Sequence, residues 1–546
     1  MTRHERQSAQ HQNRPIAQST AQPMDPYDSL PYESIAFPET HPANLAVLGR
    51  LFGLATADPR RCRVLELGCA SGGNLLPMAW NLPETRFLGI DLSHAQIAGG
   101  RAMIDRLGLS NIELRQGDIL DLDEGLGEFD YVIAHGVYSW VPEPVRAHLL
   151  GLARRVLAPA GLFYVSYNAL PGWRMRGMLR DILTYACRDG ATPEARLTAA
   201  RTALDRLDAT LSGLEALSAR YLREEIANLR GAHPSYLLFE YLAEHNRAFL
   251  FSEFAADIEK RGLRYLCDTD LRTLFPSTYG DAVDRGLSDI EDGVELEQWL
   301  DFVTNRNFRQ SVLCRNDAVL EDEIDLDRFA AWAFCADLRP PKKPDLGRVK
   351  DAPFTTSKGT ALQVAHPLTK ALLLELVARY PACLPFDELI PKAARTVAAA
   401  GGGALASEVD ECLAELFSLY AHGAIAARPE PLRQEPVTGE RPQASTLAVA
   451  QVESGAQRVA TVHHGNLDLD AFAARLLLYL DGTRTENEIA ERLAADLQAG
   501  ELIPPSGVRP QQWTPERLRE RTRAAVKDLL PLFGRYGVLE TTIGDN

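Results

Sequence analysis

The chain contains no long apolar run. Among its 546 residues, no stretch approaches the roughly 20 apolar residues that a membrane-spanning helix needs. The first residues, up to Gln22, are rich in Gln, Arg, His, Ser and Thr and lack the apolar core of a secretory signal. We therefore expect no membrane insertion, a disordered tail over residues 1–25 and a cytoplasmic location.

Positive charge and paired cysteines are also scarce. Lys and Arg number 58 against 74 Asp and Glu, which gives a net charge of -16. This argues against a nucleic-acid partner, because such a surface needs clustered Lys and Arg. The eight cysteines are scattered without a C-x-x-C pair, so we expect reduced core residues of a cytosolic protein. No metal site is predicted, and the pair His463-His464 is interpreted as a solvated turn.

The most informative segment that is present runs from Arg63 to Asn74. A short apolar run containing Glu66 is followed by the small residues Gly68, Cys69 and Ala70, and then by an apolar helical pattern that begins after Asn74. This order predicts a strand, a tight turn and a helix start. Small residues let the backbone approach a ligand closely, and the helix start offers unpaired N–H groups.

Acidic residues follow the next two apolar runs. The run Phe87–Ile90 ends in Asp91, which lies 23 residues after Gly68, and the third run leads to Asp118. Ligands of doubly wound sheets bind outside the carboxyl ends of the strands, where an acid after the second strand can hold a ribose. These acids are therefore candidate cofactor contacts.

Aromatic residues follow the fourth and fifth apolar runs. Tyr138 and Trp140 come after the fourth run, and Tyr167, Asn168 and Trp173 come after the fifth. We expect these five side chains to form the channel of a second reactant, because the ends of neighbouring strands meet at one edge of the sheet.

The motif Glu66-Leu-Gly68-Cys-Ala70-Ser-Gly72 resembles the E-x-G-x-G-x-G pattern of class I S-adenosylmethionine (AdoMet)-dependent methyltransferases, with Ala70 in place of the middle glycine. A nicotinamide-binding Rossmann domain is the main alternative, but its G-x-G-x-x-G spacing is missing. The resemblance implies AdoMet as the cofactor. The predicted cofactor contacts are Glu66, Gly68, Cys69, Ala70, Asn74, Asp91, Leu92, Asp118, Ile119 and His135. A turn-rich aromatic segment, residues 27–42, precedes the first helix. It either caps the cofactor cleft, with contacts from Tyr27 and Tyr32, or packs as an arm on the methyltransferase domain.

Further segments narrow the resemblance. The stretches 135–142, 167–173, 240–246, 251–254 and 305–310 are similar to those of methyltransferases that carry a methyltransferase regulatory domain, a group that includes the rickettsial-type protein lysine methyltransferases. The resemblance implies an α/β fold with a Rossmann-like sheet, a helical middle domain and a winged-helix-like C-terminal region.

The chain divides at changes of pattern. We expect an AdoMet-binding domain over residues 26–174, a helical regulatory domain over 175–338, a winged-helix-like domain over 345–430 and a mostly helical domain over 443–546. The apolar face of Leu197, Ala200, Leu204, Leu207 and Leu211 belongs either to the core of the middle domain or to a homodimer surface.

The predicted activity is transfer of a methyl group from AdoMet to a protein, at a lysine side-chain nitrogen. A lysine amine must be neutral to attack, and burial against aromatic rings lowers its pKa. Tyr138, Trp140, Tyr167, Asn168 and Trp173 are the predicted catalytic residues. A small-molecule O- or N-methyltransferase and an AdoMet-sensing regulatory scaffold remain as alternatives.

Overall fold

A seven-stranded sheet organises residues 63–315. The structure, a computed structural model, describes residues 33–321, 324–403, 407–434, 439–502 and 513–540. The strands are β1 Arg63–Leu67, β2 Arg86–Asp91, β3 Ile112–Gln116, β4 Phe129–Ala134, β5 Leu157–Asn168, β6 Leu263–Asp268 and β7 Phe308–Arg315. Their order in the sheet is β3-β2-β1-β4-β5-β7-β6. The first five run parallel, whereas β7 pairs antiparallel with both of its neighbours, so the predicted α/β fold is confirmed.

The central strands are buried on both faces. Val64 and Tyr131 belong to the apolar core on one side of the sheet, and Leu65 and Val132 belong to the core on the other. Successive side chains of a strand point to opposite faces, which explains why these strands appear in the sequence as nearly continuous apolar runs. The helices of this part are α1 Pro42–Leu51, α2 Leu75–Asn81, α3 His94–Leu107 and α4 Glu143–Val156.

The middle of the chain leaves the sheet and then returns to it. It begins with α5 Trp173–Ala186, α6 Pro193–Leu211, α7 Leu217–Arg230, a short turn Pro234–Tyr236 and a π-helix Leu237–Tyr241. The return comprises α8 Phe251–Glu259, β6, α9 Asp281–Gly286, α10 Gly293–Thr304 and β7. The predicted helical domain of 175–338 therefore contributes the last two strands of the sheet. Without β7, the edge of β5 would expose unpaired N–H and C=O groups.

The apolar face of α6 packs inside the protein. Ala200 and Leu204 are buried in a core shared with α5, α7 and the π-helix, and Leu197, Leu207 and Leu211 pack against that core. This face is used within the chain, and a homodimer through the middle domain stays a prediction.

Residues 326–428 form a unit with two small antiparallel sheets. Its elements are α11 Leu326–Ala330, β8 Ala333–Cys335, β9 Leu338–Arg339, β10 Ala352–Thr356, β11 Ala361–Val364, α12 Pro367–Arg379, β12 Leu384–Pro385, α13 Phe386–Ala399, α14 Ser407–Ala421 and β13 Ala426–Arg428. The strand orders are β11-β10-β9 and β12-β8-β13. In the second sheet, β8, which precedes the predicted boundary at residue 345, is the middle strand.

The last unit, residues 439–502 and 513–540, packs against the part of the chain that carries the seven-stranded sheet. It consists of α15 Thr446–Glu453, β14 Arg458–Ala460, β15 Asn466–Asp468, α16 Ala471–Tyr479, α17 Glu486–Ala499 and α18 Pro515–Arg535. Helix α15 contacts α3, and Asn466 Nδ2 donates to the carbonyl oxygen of Ala36 at 2.7 Å. None of the helices among the described residues is apolar over a membrane-spanning length. The cytoplasmic location stays a prediction.

The turn between β14 and β15 differs from the prediction. His464 is only 2% exposed and His463 is half-buried, so the solvated turn expected for this pair is wrong. The docking of the last unit against the rest of the chain buries His464 and leaves His463 half-buried.

Candidate functional site

A cavity of about 360 Å³ opens at the carboxyl ends of β1, β2 and β4. The ends of these strands form part of its wall. The segment before α1 and the π-helix form other parts of it. The lining residues that the sequence predicted are Glu66, Gly68, Cys69, Ala70, Asn74, Asp91, Leu92, Asp118, Ile119, His135 and Trp140. The elements therefore bring together ten of the twelve predicted cofactor contacts. The other two, Tyr27 and Tyr32, lie outside the described residues.

The loop after β1 has the backbone conformation that small residues permit. Gly68 has φ +78°, and a Cβ atom there would lie 2.5 Å from a methyl group of Val137. Ala70 has φ +49°, in the left-handed region where glycine is favoured. Asp91 holds this loop, because its Oδ2 accepts a hydrogen bond from the Ala70 N–H at 2.8 Å. Asp91 is therefore both a cavity residue and a support for the loop.

A buried polar chain fixes the start of α2. Asn74 Nδ2 donates to Glu66 Oε1 at 2.8 Å, and Asn74 Oδ1 accepts from the Phe37 N–H at 3.0 Å and from His464 Nε2 at 2.8 Å. The second oxygen of Glu66 is buried and has no hydrogen-bond partner among the described residues. Burial raises the pKa of Glu66 to about 8. A cationic group of a ligand in the cavity would donate a hydrogen bond to this second oxygen and stabilise the ionised carboxylate.

The segment before α1 closes one side of the cavity. Ser34 Oγ accepts from the Gly73 N–H at 2.7 Å, and the Phe37 ring stacks on His135 with centroids 3.8 Å apart. His135 Nδ1 lies 2.9 Å from the Tyr164 hydroxyl, and burial lowers the pKa of His135 to about 4. His135 is therefore a neutral, stacked wall residue. Capping of the cleft by this turn-rich segment was one of the two predicted alternatives, but the sequence analysis did not single out Ser34 or Phe37.

At the far end, the π-helix contributes Phe239 and Glu240 to the cavity wall. Trp140 Nε1 donates to the Phe239 carbonyl oxygen at 3.1 Å. Burial raises the pKa of Glu240 to about 7. The sequence analysis missed both π-helix residues. The available signal was an acid within an aromatic stretch, but its position in space depends on the return of the chain to the sheet.

Four predicted catalytic residues do not line the cavity. Tyr138 and Tyr167 are buried among Phe249 and Phe254, and the Tyr138 hydroxyl donates to Asp257 at 2.9 Å. Trp173 is buried at the start of α5. Burial raises the pKa of both tyrosines, so both are neutral phenols. Their catalytic role stays a prediction.

Asn168, the fourth of these residues, is linked to the cavity wall through one neighbour. Its Nδ2 donates to Asn246 Oδ1 at 2.9 Å, and Asn246 Nδ2 donates to the Glu240 carbonyl oxygen at 2.7 Å. The end of β5 therefore helps to hold the π-helix in place. Asn168 is placed to position Glu240 without touching the cavity itself.

The charges of the wall favour a cation. Five carboxyl groups line the cavity, and no Lys or Arg is among the described lining residues. The five are Glu33, Glu66, Asp91, Asp118 and Glu240. AdoMet carries a sulfonium and an amino group, and its ribose offers hydroxyls to an acid after β2. The wall therefore suits AdoMet, and contacts of Glu66, Asp91 and Asp118 with the cofactor stay predictions.

Three family models match the chain. A methyltransferase domain matches residues 64–161, and a predicted methyltransferase regulatory domain matches residues 233–315. A third model, the C-terminal winged helix domain of PKMT, matches residues 440–538. The winged-helix match thus falls on the last unit, whereas the sequence analysis placed a winged-helix-like domain at 345–430.

Relatives extend the match over most of the chain. The uncharacterized protein RP789 of Rickettsia prowazekii is 31% identical over 88% of this chain and 87% of its own length. The structure of PKMT2 from Rickettsia typhi in complex with AdoHcy has a TM-score of 0.81 and 27% identity, and covers 93% of this chain and all of the other. A trans-aconitate 2-methyltransferase of Deinococcus radiodurans is 32% identical over only 20% of this chain.

Proposed function

This chain belongs to the rickettsial-type class I methyltransferases, which are AdoMet-dependent, and we propose that it methylates a lysine side chain of a protein substrate. The similarity to PKMT2 runs over nearly the whole of both chains. The small-molecule methyltransferase match, in contrast, is confined to a fifth of the chain. The likeness to PKMT2 therefore includes the units outside the methyltransferase domain.

The acidic cavity wall carries the proposal. A lysine side chain reaches an enzyme as an ammonium ion. Glu33 and Glu240, the two wall carboxyl groups that are not among the predicted cofactor contacts, attract such a group, and no Lys or Arg opposes them among the described lining residues. An anionic metabolite would meet the same carboxyl groups and be repelled. The wall therefore favours a cationic acceptor over a carboxylate.

Glu240 is the residue that we assign to the acceptor. AdoMet supplies an activated methyl group, and the protein must hold a neutral amine in line with it. Burial raises the pKa of Glu240 to about 7, so its ionised form binds the ammonium and accepts a proton from it near neutral pH. Trp140 and Phe239, which share this part of the wall, exclude water and thereby favour the neutral amine.

The acceptor can be identified directly. The full-length protein is incubated with isotope-labelled AdoMet and a cell lysate, and the labelled products are located by mass spectrometry. We expect the label on lysine residues of protein. Label found only on small molecules, or only on oxygen atoms of protein, would contradict a lysine acceptor and favour a small-molecule or O-methyltransferase.

The role of Glu240 has its own test. Glu240→Gln should lower kcat by about 10²-fold, the scale of a lost general base, with near-normal AdoMet affinity. In the wild type, kcat/KM should rise with pH through about 7 as Glu240 ionises, and this inflection should vanish in the variant. Glu244→Gln, the same change at an exposed neighbour, is the control. Equal activity of the two variants would remove Glu240 from the reaction.

A further inference from the structure

Two thiols and an imidazole meet where the last two units touch. Cys335 ends β8, Cys383 lies just before β12, and His463 lies in the turn between β14 and β15. One ligand atom from each, two sulfurs and a ring nitrogen, all lie within 4.8 Å of one another. Both cysteines are buried, at 2% and 0% exposure. Three elements far apart in the sequence thus converge on one point.

The hydrogen bonding of His463 leaves a ligand nitrogen available. Its Nε2–H donates to the Pro381 carbonyl oxygen at 2.8 Å, which places the proton on Nε2 and leaves the lone pair on Nδ1. A histidine that binds a metal almost always donates its other ring N–H to a carbonyl or carboxylate in this way, and the bond fixes both tautomer and ring orientation. The carbonyl of Pro381 comes from the same short segment as Cys383.

We propose that Cys335, Cys383 and His463 bind one zinc ion, with solvent in the fourth position. Thiolate and imidazole are the ligands that zinc prefers in proteins. Tetrahedral zinc holds neighbouring ligand atoms about 3.5 Å apart, so the cluster needs to close by at most about 1.3 Å. Binding releases the two thiol protons to solvent, and two thiolates with a neutral imidazole leave the site without net charge.

The ion would link the unit of residues 326–428 to the last unit. It would also fix the conformation of the turn between β14 and β15. Cys335 and Cys383 belong to the unit of residues 326–428, and His463 belongs to the last unit. Beside the cluster, Arg535 Nε donates to Asp337 at 2.9 Å across the same boundary. The next residue, His464, hydrogen-bonds to Asn74 at the end of the loop after β1, which we call the cofactor loop. Zinc would therefore fix the turn that carries both histidines.

Metal content of the full-length protein is the test. Protein expressed in zinc-supplemented medium and analysed by inductively coupled plasma mass spectrometry should contain about one zinc per chain. Cys335→Ser with Cys383→Ser should lose it, and so should His463→Ala. Cys412→Ser, which changes a buried cysteine of α14 outside the cluster, should retain it. Zinc that persists in the double variant, or its absence from the wild type, would overturn the proposal.

Cobalt replacement needs no variant and therefore does not depend on how a variant folds. Wild-type protein loaded with Co²⁺ should show the sulfur-to-cobalt charge-transfer bands of thiolate ligation. Their absence would overturn the proposal. A thiol count of the denatured, unreduced protein completes the test: all eight cysteines should react. A count of six, which would mean a disulfide between Cys335 and Cys383, would also contradict zinc binding.

Discussion

At the scale of single residues, five carboxyl groups dominate the wall of the cavity. Asp91 lies at the end of β2 and holds the cofactor loop through the Ala70 N–H. Its other oxygen, Oδ1, accepts from the Ser93 N–H at 2.9 Å. Asp118 follows β3 and accepts from the Leu120 N–H at 2.9 Å. The two acids therefore differ in importance, because only Asp91 both lines the cavity and shapes the glycine-rich loop.

We expect Asp91→Ala to weaken AdoMet binding by more than tenfold. A charge-assisted hydrogen bond contributes roughly 1.5–3 kcal/mol, and the loop loses its support as well. Asp118→Ala should have a smaller effect. Calorimetric titration with AdoMet measures the affinities, and Asp121→Ala, an exposed acid outside the cavity, serves as the control. Unchanged affinity in a folded Asp91→Ala variant would remove Asp91 from the site.

Glu66 should release a proton when AdoMet binds. Burial raises the pKa of Glu66 from 4.5 to about 8, so at neutral pH the free protein holds this carboxyl protonated. A cation beside it favours the ionised form and lowers the pKa in the complex. AdoMet affinity should therefore increase with pH up to about 8, by at most about tenfold per pH unit, and level off above.

Calorimetry in buffers of different ionisation enthalpy measures that proton. Glu66→Gln should bind AdoMet without releasing it and with a flatter dependence on pH, whereas the exposed Glu113→Gln should behave as the wild type. The same proton release in Glu66→Gln and in the wild type would assign the titration to another group.

At the scale of elements, the π-helix builds the end of the cavity that we assign to the acceptor. The π-helix Leu237–Tyr241 carries Phe239 and Glu240, and Trp140 and Asn246 hold it by hydrogen bonds to its carbonyl groups. π-helical turns are rare and are frequently found at functional sites. After the π-helix, the chain is held to the end of β5 by the bridge between Ala169 and Phe249 and by the hydrogen bond from the Leu170 N–H to the Phe249 carbonyl oxygen at 2.8 Å.

A network of buried ion pairs joins β6 and β7 to each other and to α10. The Arg309 guanidinium, 1% exposed, pairs with Glu297 at 2.8 Å, Asp301 at 2.8 Å and Asp268 at 3.1 Å. It therefore links β7 to α10 and β6. Arg306 pairs with Asp268 at 3.0 Å and with Asp301 at 3.1 Å. These arginines are occupied within the fold and do not present charge to a substrate.

Arg309→Met should destabilise the protein by about 3–5 kcal/mol, because it leaves buried carboxylates without a partner. Urea unfolding followed by circular dichroism measures the free energy of unfolding. Arg315→Met is the matched control. Its partner Asp317 has a 55% exposed side chain, and such a surface pair contributes about 0–1 kcal/mol. Similar losses in both variants would contradict a structural role for the network.

At the scale of the whole molecule, the last unit contacts Asn74 and Glu33, two residues of the cavity wall. His464 and Asn74 are separated by 390 residues in the sequence and joined by one buried hydrogen bond. Arg458 pairs with Glu33 at 3.4 Å, and Arg106 of α3 pairs with Glu453 of α15. The winged-helix unit is thus in direct contact with both the loop and the segment that enclose the cavity.

His464→Ala should lower AdoMet affinity although His464 does not line the cavity. Asn74 would lose one of the bonds that orient it toward Glu66. A hydrogen bond of about 1 kcal/mol corresponds to roughly a fivefold change in the dissociation constant. His422→Ala, at an exposed helix end, is the control, and calorimetry measures both. An affinity equal to that of the wild type would show that the last unit does not influence the cofactor loop.

Local chemistry made the cofactor loop predictable from the sequence. A strand, a tight turn and a helix start are encoded within residues 63–74, and acids at strand ends are encoded by the runs that precede them. Parallel strands then bring those ends to one edge. Ten predicted cofactor residues consequently line one cavity, while the roles assigned to them stay predictions.

Tertiary structure alone decided the rest. The aromatic residues after β4 and β5 share one sequence pattern, yet Trp140 lines the cavity and Tyr138 is in the core. Glu240 reaches the same cavity because Trp140, and Asn168 through Asn246, hold the π-helix beside the ends of β4 and β5. Cys335, Cys383 and His463 have no common spacing, and they meet because two units dock. Local spacing determines the conformation of a segment, whereas contacts between distant segments depend on how all the apolar faces are buried together.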